Sequence, residues 1–535
     1  GVTIFRIKAL NAYRFRINVF TFLMVVFVVA CKERADNPNA NLQLSHYATL
    51  RQSNYALNSH QIRRYIAQLK KSDTDSMMPD MRCKAHYTRR GTFLWITRNG
   101  VNAQADTLLM ALQNVKQLGF RPEKFCVQQI SADLQRARNL DFSDSSHAIN
   151  KVFARLEYNL TKAYYRYAAG MQFGFVNPYT AFNRLDLLKP DSTSQSYRSL
   201  FDVPMKRLNR SFFSVCQRKL AHDSLAVFLQ EILPQSALYK RYEEMLQIET
   251  NPQQRLRILC NMERARWRTD DKPSQHSKYV MVNIPAFQLR AVDGEDVLEM
   301  RVGCGALDTK TPLLTSRFMR MDINPQWIVP RSIIEKSILP QAGNAEYFEA
   351  RNFFVRQRST GRKMPLDRVT PSMLMSKDYL VIQSGGVGNS LGRIVFRFNN
   401  KFSVFLHDTD QRDFFAKNSR DVSHGCVRVQ HPYALALFLL GEKDEQLAEK
   451  IRYSMTADIG KKKARPAGGD EKVVEKPDTL KRQLLIGSVN ITPEVPLFIT
   501  YFTLYPDANG IMRAYDDVYG YDQVMYNILK NYGAR

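Results

Sequence analysis

Two metal signatures are missing from this chain: no CxxC pair and no HExxH segment occurs in its 535 residues. Compact zinc sites need such close pairs, so no metal centre is expected, and no cofactor is implied. The glycine-rich run Gly385-Gly386-Val387-Gly388-Asn389-Ser390-Leu391-Gly392-Arg393 lacks the Lys-Ser/Thr ending of a phosphate loop. Nucleotide binding is therefore not expected, and the run reads instead as a wall of a substrate groove. Cysteine is sparse: seven residues, widely spaced, without the framework of a disulfide-stapled domain. No bridge is expected to be essential. Acids are short as well, with 51 Asp and Glu against 77 Lys and Arg and a formal charge of +26. A basic surface favours anionic partners.

Long apolar runs are short too. The uncharged stretch Val19 to Val29 has eleven residues, too few for an ordinary membrane span. Arg6, Lys8, Arg14 and Arg16 precede it and Ala30-Cys31 follows, so residues 1–30 read as a secretory signal. Val28-Val29-Ala30-Cys31 resembles a bacterial lipobox, which makes Cys31 the acylated first residue of the exported form. Ordinary signal cleavage and an uncleaved anchor are the alternatives. Lys32 carries no inner-membrane retention cue of the aspartate kind. The expected location is periplasmic, as an outer-membrane lipoprotein of a Gram-negative bacterium. Nucleic acid is then not an expected partner, whereas a membrane, reached through the lipid anchor, is.

The rest of the chain divides by hydrophobic period. Residues 31–60, rich in Asn, Gln and Ser, read as a tether. Residues 61–255 read as helical: Ile149, Val152, Phe153, Leu156, Leu160, Ala163, Tyr164 and Tyr167 recur at steps of three and four, and Ala103 to Leu118 forms a second amphipathic pattern. From about 276 the period becomes two, predicting strands at Tyr279–Val292, Val297–Cys304, Phe318–Ile323, Tyr379–Gln383, Ile394–Phe398, Phe402–His407, Gln483–Val489 and Leu497–Leu504. Residues 331–375 interrupt them with helical and polar segments. Residues 460–479, with a Lys-Lys-Lys run and Gly-Gly, read as a disordered insertion. The fold class is α+β, a helical domain followed by a mainly β domain over 256–535.

One segment carries interpretable chemistry. Ser423-His424-Gly425-Cys426-Val427-Arg428 lies downstream of Phe405-Leu406-His407-Asp408-Thr409. A thiol becomes a nucleophile as thiolate, which an imidazole can generate as general base. Gly425 removes bulk, so the N–H groups of Gly425 and Cys426 can approach a developing oxyanion. His424 sits two residues from Cys426, a spacing that rarely brings a ring to the sulfur. His407, at the end of a predicted strand, is the preferred base, and His424 a wall of the oxyanion site. Arg428 could pair with a substrate carboxylate. The parts describe cysteine-dependent acyl transfer.

These residues resemble the signature of the L,D-transpeptidases, the YkuD-type cysteine enzymes of peptidoglycan. Arg428, two residues after the cysteine, resembles the multidomain YcbB-like branch, as do Asn324-Pro325-Gln326-Trp327-Ile328-Val329-Pro330, the 385–393 glycine run and Asp517-Val518-Tyr519-Gly520. The helical half resembles that branch's scaffold domain, and 331–375 its helical capping insertion over the active site. The resemblance implies that Cys426 is the nucleophile, His407 the base and the Asp408 main chain its orienting partner. Ser423, Asn389, Gly386, Arg393 and Trp327 join Arg428 as candidate substrate-binding residues. It implies peptidoglycan stem peptides as substrate, other cell-wall synthases as partners and acylation by carbapenems. Whether the acyl acceptor is an amine or water stays open; the alternatives are an L,D-carboxypeptidase or other peptidoglycan hydrolase on the same site, or a non-enzymatic wall-binding lipoprotein.

Overall fold

The computed structural model describes residues 57–97, 100–142, 144–188, 193, 195–441, 444–459 and 480–535. The signal segment, Cys31, most of the tether and the 460–479 insertion lie outside the described residues. Among the described residues, no helix is long and apolar enough to cross a membrane.

Two compact units emerge. One holds the described residues up to Val176 together with Arg207–Arg268 and Met525–Arg535; the other holds Asn177–Lys206 and Thr269–Val524. This division differs from the one expected at 255/256. That point falls inside the helix Pro252–Arg266, which buries Leu259, Cys260 and Met262 in the helical unit. The expected tether also ends early, because Ser59 already opens the helix Ser59–Ser72, capped by the Asn58 side chain.

The first unit is built around the helix Ile149–Phe173. The eight periodic residues of its sequence are all buried, and so are Glu157, Lys162 and Arg166, so the helix has almost no wet face. Those charges are matched internally. Arg166 donates to both Asp80 carboxylate oxygens at 2.6 and 2.8 Å, with both residues fully buried. A buried pair of this kind adds little net stability, yet breaking it leaves an uncompensated charge. Asp80→Ala is therefore expected to cost about 3–5 kcal/mol, read from urea midpoints; a shift below about 1 kcal/mol contradicts this account. The helix ends at Gly174, where φ is +84° and a Cβ would lie 2.3 Å from Glu263 Oε1.

The second unit is a ten-stranded sheet. Its path runs Ile394–Phe398, Leu406–His407, Val427–Val429, Asp296–Gly305, Gln288–Asp293, Lys278–Asn283, Ser488–Thr500 and Leu313–Ile323. Leu313–Ile323 pairs back onto Ile394–Phe398, closing a barrel. Closure removes the free edges that an open sheet would expose. The predicted strand Tyr279–Val292 is really a hairpin, turned at Ile284–Phe287 with Phe287 at φ +48°. The Phe402–His407 strand shrinks to Leu406–His407. The Asn400 side chain accepts from the N–H groups of Phe402 and Val404 at 2.9 and 3.1 Å, taking donors that a ladder would have used.

The 331–375 insertion is not purely helical. Trp327–Ile328, Tyr379–Gln383 and Phe353–Gln357 form a three-stranded sheet. It shares a core of Val329, Ile334, Ile338, Phe348, Val355 and Val381 with the short helices around it.

Candidate active site

A parallel strand pair brings the His407 and Cys426 segments side by side. Leu406 faces Val427 and His407 faces Arg428 in register. The Val427 N–H donates to the Phe405 carbonyl at 3.0 Å. One step earlier, the Phe405 N–H points at Cys426 Sγ, 3.4 Å away. Had Phe402–Phe405 been a regular strand, that N–H would have been spent on a ladder.

The His407 ring is buried, and its Nδ1 hydrogen-bonds the carbonyl of Asp408. A carbonyl can only accept, so Nδ1 carries a proton toward Asp408, and the Leu391 backbone also hydrogen-bonds the ring. The Asp408 N–H in turn donates to Ile394 O at 3.0 Å. Its carboxylate accepts from the Arg393 N–H at 2.9 Å and from Arg412 at 3.2 Å. Gly392 makes room for that carboxylate: a Cβ there would lie 2.5 Å from Asp408 Cγ.

The nucleophile turn is held from both sides. Gly425 has φ +123°, a conformation that side chains rarely adopt. Ser423 Oγ donates to the Cys426 carbonyl at 2.5 Å and accepts from the Gly425 N–H at 3.1 Å. The Gly425 N–H is thus committed within the turn, whereas the Cys426 N–H has no acceptor among the described residues. Ser423 therefore closes the turn and does not line a substrate groove. Below it, buried Thr311 donates from Oγ1 to the Gly425 carbonyl and accepts from the Gly305 N–H, both at 2.8 Å. The Tyr519 hydroxyl donates to Gly305 O at 2.6 Å and accepts from the Thr311 N–H at 3.1 Å. Thr311 carried no sequence signal, because its links to Gly425 and Tyr519 span more than a hundred residues. Thr311→Val leaves two buried backbone groups unpaired at roughly 1–3 kcal/mol each. Its melting temperature should fall, and Cys426 acylation should slow by up to about 100-fold as the turn loosens. Thermal melts and acylation rates matching the parent would show that the turn does not depend on this clamp.

The electrostatics favour a neutral pair at rest. Burial pushes the Cys426 thiol up, against the Phe405 N–H and the Arg428 charge. Burial, opposed by the Asp408 and Leu391 backbone hydrogen bonds and helped by Arg428, brings His407 down to about 4. Proton transfer from sulfur to Nε2 would then accompany attack, instead of preceding it as a standing ion pair.

The remaining sequence candidates separate by contact. Arg428 lies beside both reacting groups; it reaches Gln411 at 3.4 Å and stacks over Phe414, with its Nε buried and unpaired. His424 is exposed at the turn. Burial pulls its pKa down, helped by Lys336 of the capping insertion and by Arg428. Lys336 also approaches Asp308, at 3.9 Å. Arg393 is occupied structurally, donating to Asn324 Oδ1 at 2.6 Å and to carbonyls at the end of the helix Glu445–Thr456. Asn389 is fully buried and donates to Pro325 O and Ser384 O. Buried Gly386, at φ +106°, accepts from the Asn389 N–H within the same loop. Trp327 packs against Phe353 in the core of the cap. The contacts seen for these four are structural, within the glycine-rich loop, the cap core and the end of the helix Glu445–Thr456. Among the described residues, no group of three or more His, Cys, Asp or Glu could hold a metal ion.

Two family models match this chain. Residues 277–444 match the YkuD family, described as the L,D-transpeptidase catalytic domain, and residues 82–246 match the Scaffold domain family. A Haemophilus influenzae protein named "Putative L,D-transpeptidase" is 26% identical over 58% of this chain. The chain spans 59% of that relative's length. A solved structure, "Structure of the Ldtfm-avibactam carbamoyl enzyme", shows 15% identity over 33% of this chain and 49% of its own, with a TM-score of 0.18. The chain thus carries a YkuD domain, the catalytic domain of L,D-transpeptidases, behind a Scaffold domain.

Proposed function

We propose that this protein is a cysteine-dependent L,D-transpeptidase that crosslinks peptidoglycan. The observation that carries this reading is that Cys426 immediately precedes the strand Val427–Val429, which pairs in parallel with the strand ending at His407, whose imidazole the Asp408 carbonyl orients through Nδ1. Cys426 Sγ attacks the carbonyl after the third residue of a donor stem peptide, and its proton passes to His407 Nε2. The oxyanion accepts from the Cys426 N–H, with His424 alongside. Collapse breaks the peptide bond, and His407 returns the proton to the departing D-alanine amine. The thioester then meets the side-chain amine of a second stem, which His407 deprotonates as the new amide forms. The cap, whose Lys336 approaches the His424 side of the turn, favours an amine over water by excluding solvent.

Acylation at Cys31 would tether the enzyme to the outer membrane, facing its polymeric substrate and other cell-wall synthases. The competing reading is an L,D-carboxypeptidase on the same site, with water as acceptor. Purified protein with disaccharide-tetrapeptides separates the two. A crosslink between two third-position residues, with D-alanine released in equal amount, is the expected product; tripeptide alone would establish the hydrolase.

A further inference from the structure

The helical unit holds a second polar site that acyl transfer does not use. Beside the helices Met78–Thr88 and Arg210–Ala221 lies a cavity of about 200 Å³, whose lining includes Arg82, His86, Arg89, Tyr165, Arg210 and Gln217. Three guanidinium groups face it, and no carboxylate lines it. None of the three arginines is ion-paired among the described residues. Elsewhere in this unit, Arg166 is matched by Asp80 and Arg155 by Asp133.

The lining is built rather than incidental. The His86 ring lies against Gly91, where a Cβ would come within 2.3 Å of it. His86 Nε2 donates to Thr92 O at 2.8 Å, which leaves Nδ1 to accept from the Gln217 amide at 3.3 Å. The same amide donates to the Tyr165 hydroxyl at 2.8 Å, so that hydroxyl's own proton is available to a ligand. The Nε of Arg82 is buried without any hydrogen-bond partner. A buried guanidinium donor left unpaired is costly, and like charges around one cavity repel. An oxyanion relieves both, through charge-assisted hydrogen bonds of the strongest kind in proteins.

We propose that this cavity is an oxyanion-binding subsite of the scaffold, taking a carboxylate or phosphate group. Arg82 and Tyr165 supply the inner donors. Arg89 and Arg210, both exposed, stand at the mouth and draw the anion in. A stem-peptide carboxylate and a free phosphate share this chemistry, and titration distinguishes them.

The test uses the full chain carrying Cys426→Ala, so that no covalent adduct forms and the outcome does not depend on acyl transfer. Inorganic phosphate and a disaccharide-tetrapeptide are titrated separately by calorimetry, with and without Arg89→Ala plus Arg210→Ala. Saturable binding of either anion that weakens at least tenfold in the arginine variant supports the site and identifies the source. Because both arginines are exposed, an unchanged melting temperature is expected alongside. No binding of either anion, or equal affinity with and without the two arginines, overturns the proposal.

Discussion

Cys426→Ala forms no crosslink between third-position residues and takes up no acyl group, while remaining folded. The thiol is the only group that can hold the acyl chain, so the loss should be on the order of 10⁴-fold or more. Stability should barely change. The side chain is partly exposed, and its one backbone contact is the long 3.4 Å approach of the Phe405 N–H. Intact mass spectrometry after incubation with donor peptide reads the outcome directly: the parent gains the mass of the acyl fragment and the variant does not. A carbapenem should label the same residue in the parent alone. Crosslinks made by the purified variant would sink the assignment of the nucleophile.

Removing His407 has the second largest effect, and its signature is in the pH dependence. His407→Ala should slow acylation by about 10²–10⁴-fold, the usual worth of a positioned base. Because burial holds the ring at about 4, the acid limb of kcat/KM should lie near that value and not near 6.5. The stability consequence has a definite sign. Between about 6.5 and 4 the unfolded chain binds a proton that the folded chain refuses, so stability falls as pH falls through this window. A shift of this size corresponds to about 3 kcal/mol, an amount the parent should lose and His407→Ala should not. Urea midpoints at pH 7 and pH 4.5 for both proteins test it. An acid limb at 6.5 would show that the ring is solvated and the neutral resting pair wrong.

Much of the barrel was legible because its strands bury one face at a period of two. The helix Ile149–Phe173 was equally plain, although its sequence pattern suggested one wet face. Glu157, Lys162 and Arg166 occupy that face, and their partners, such as Asp80, lie far away in sequence. Periodicity treats every charge as solvent-facing and has no means of detecting such pairs. The same limit shortened the Phe402–His407 strand, where Asn400 competes for backbone donors through a side chain. In the cap, the strand Tyr379–Gln383 was read, but its partners Trp327–Ile328 and Phe353–Gln357 were not, the second lying among the helical and polar segments of 331–375.

By itself, the sequence singled out the candidate reacting groups. Cys426, Gly425 and His407 are chemically distinctive, and two short motifs hold them, so no long-range information was needed to name them. The tertiary structure decided what surrounds them. It spent the Gly425 N–H on Ser423, gave Arg393, Asn389 and Trp327 structural contacts, and placed Thr311 and Tyr519 beneath the turn. Only strand pairing brings Phe405 to the sulfur and Arg428 beside the imidazole. Hydrogen-bond donors and burial are shared among residues hundreds of positions apart, and a linear pattern cannot tell which of them the fold has already used.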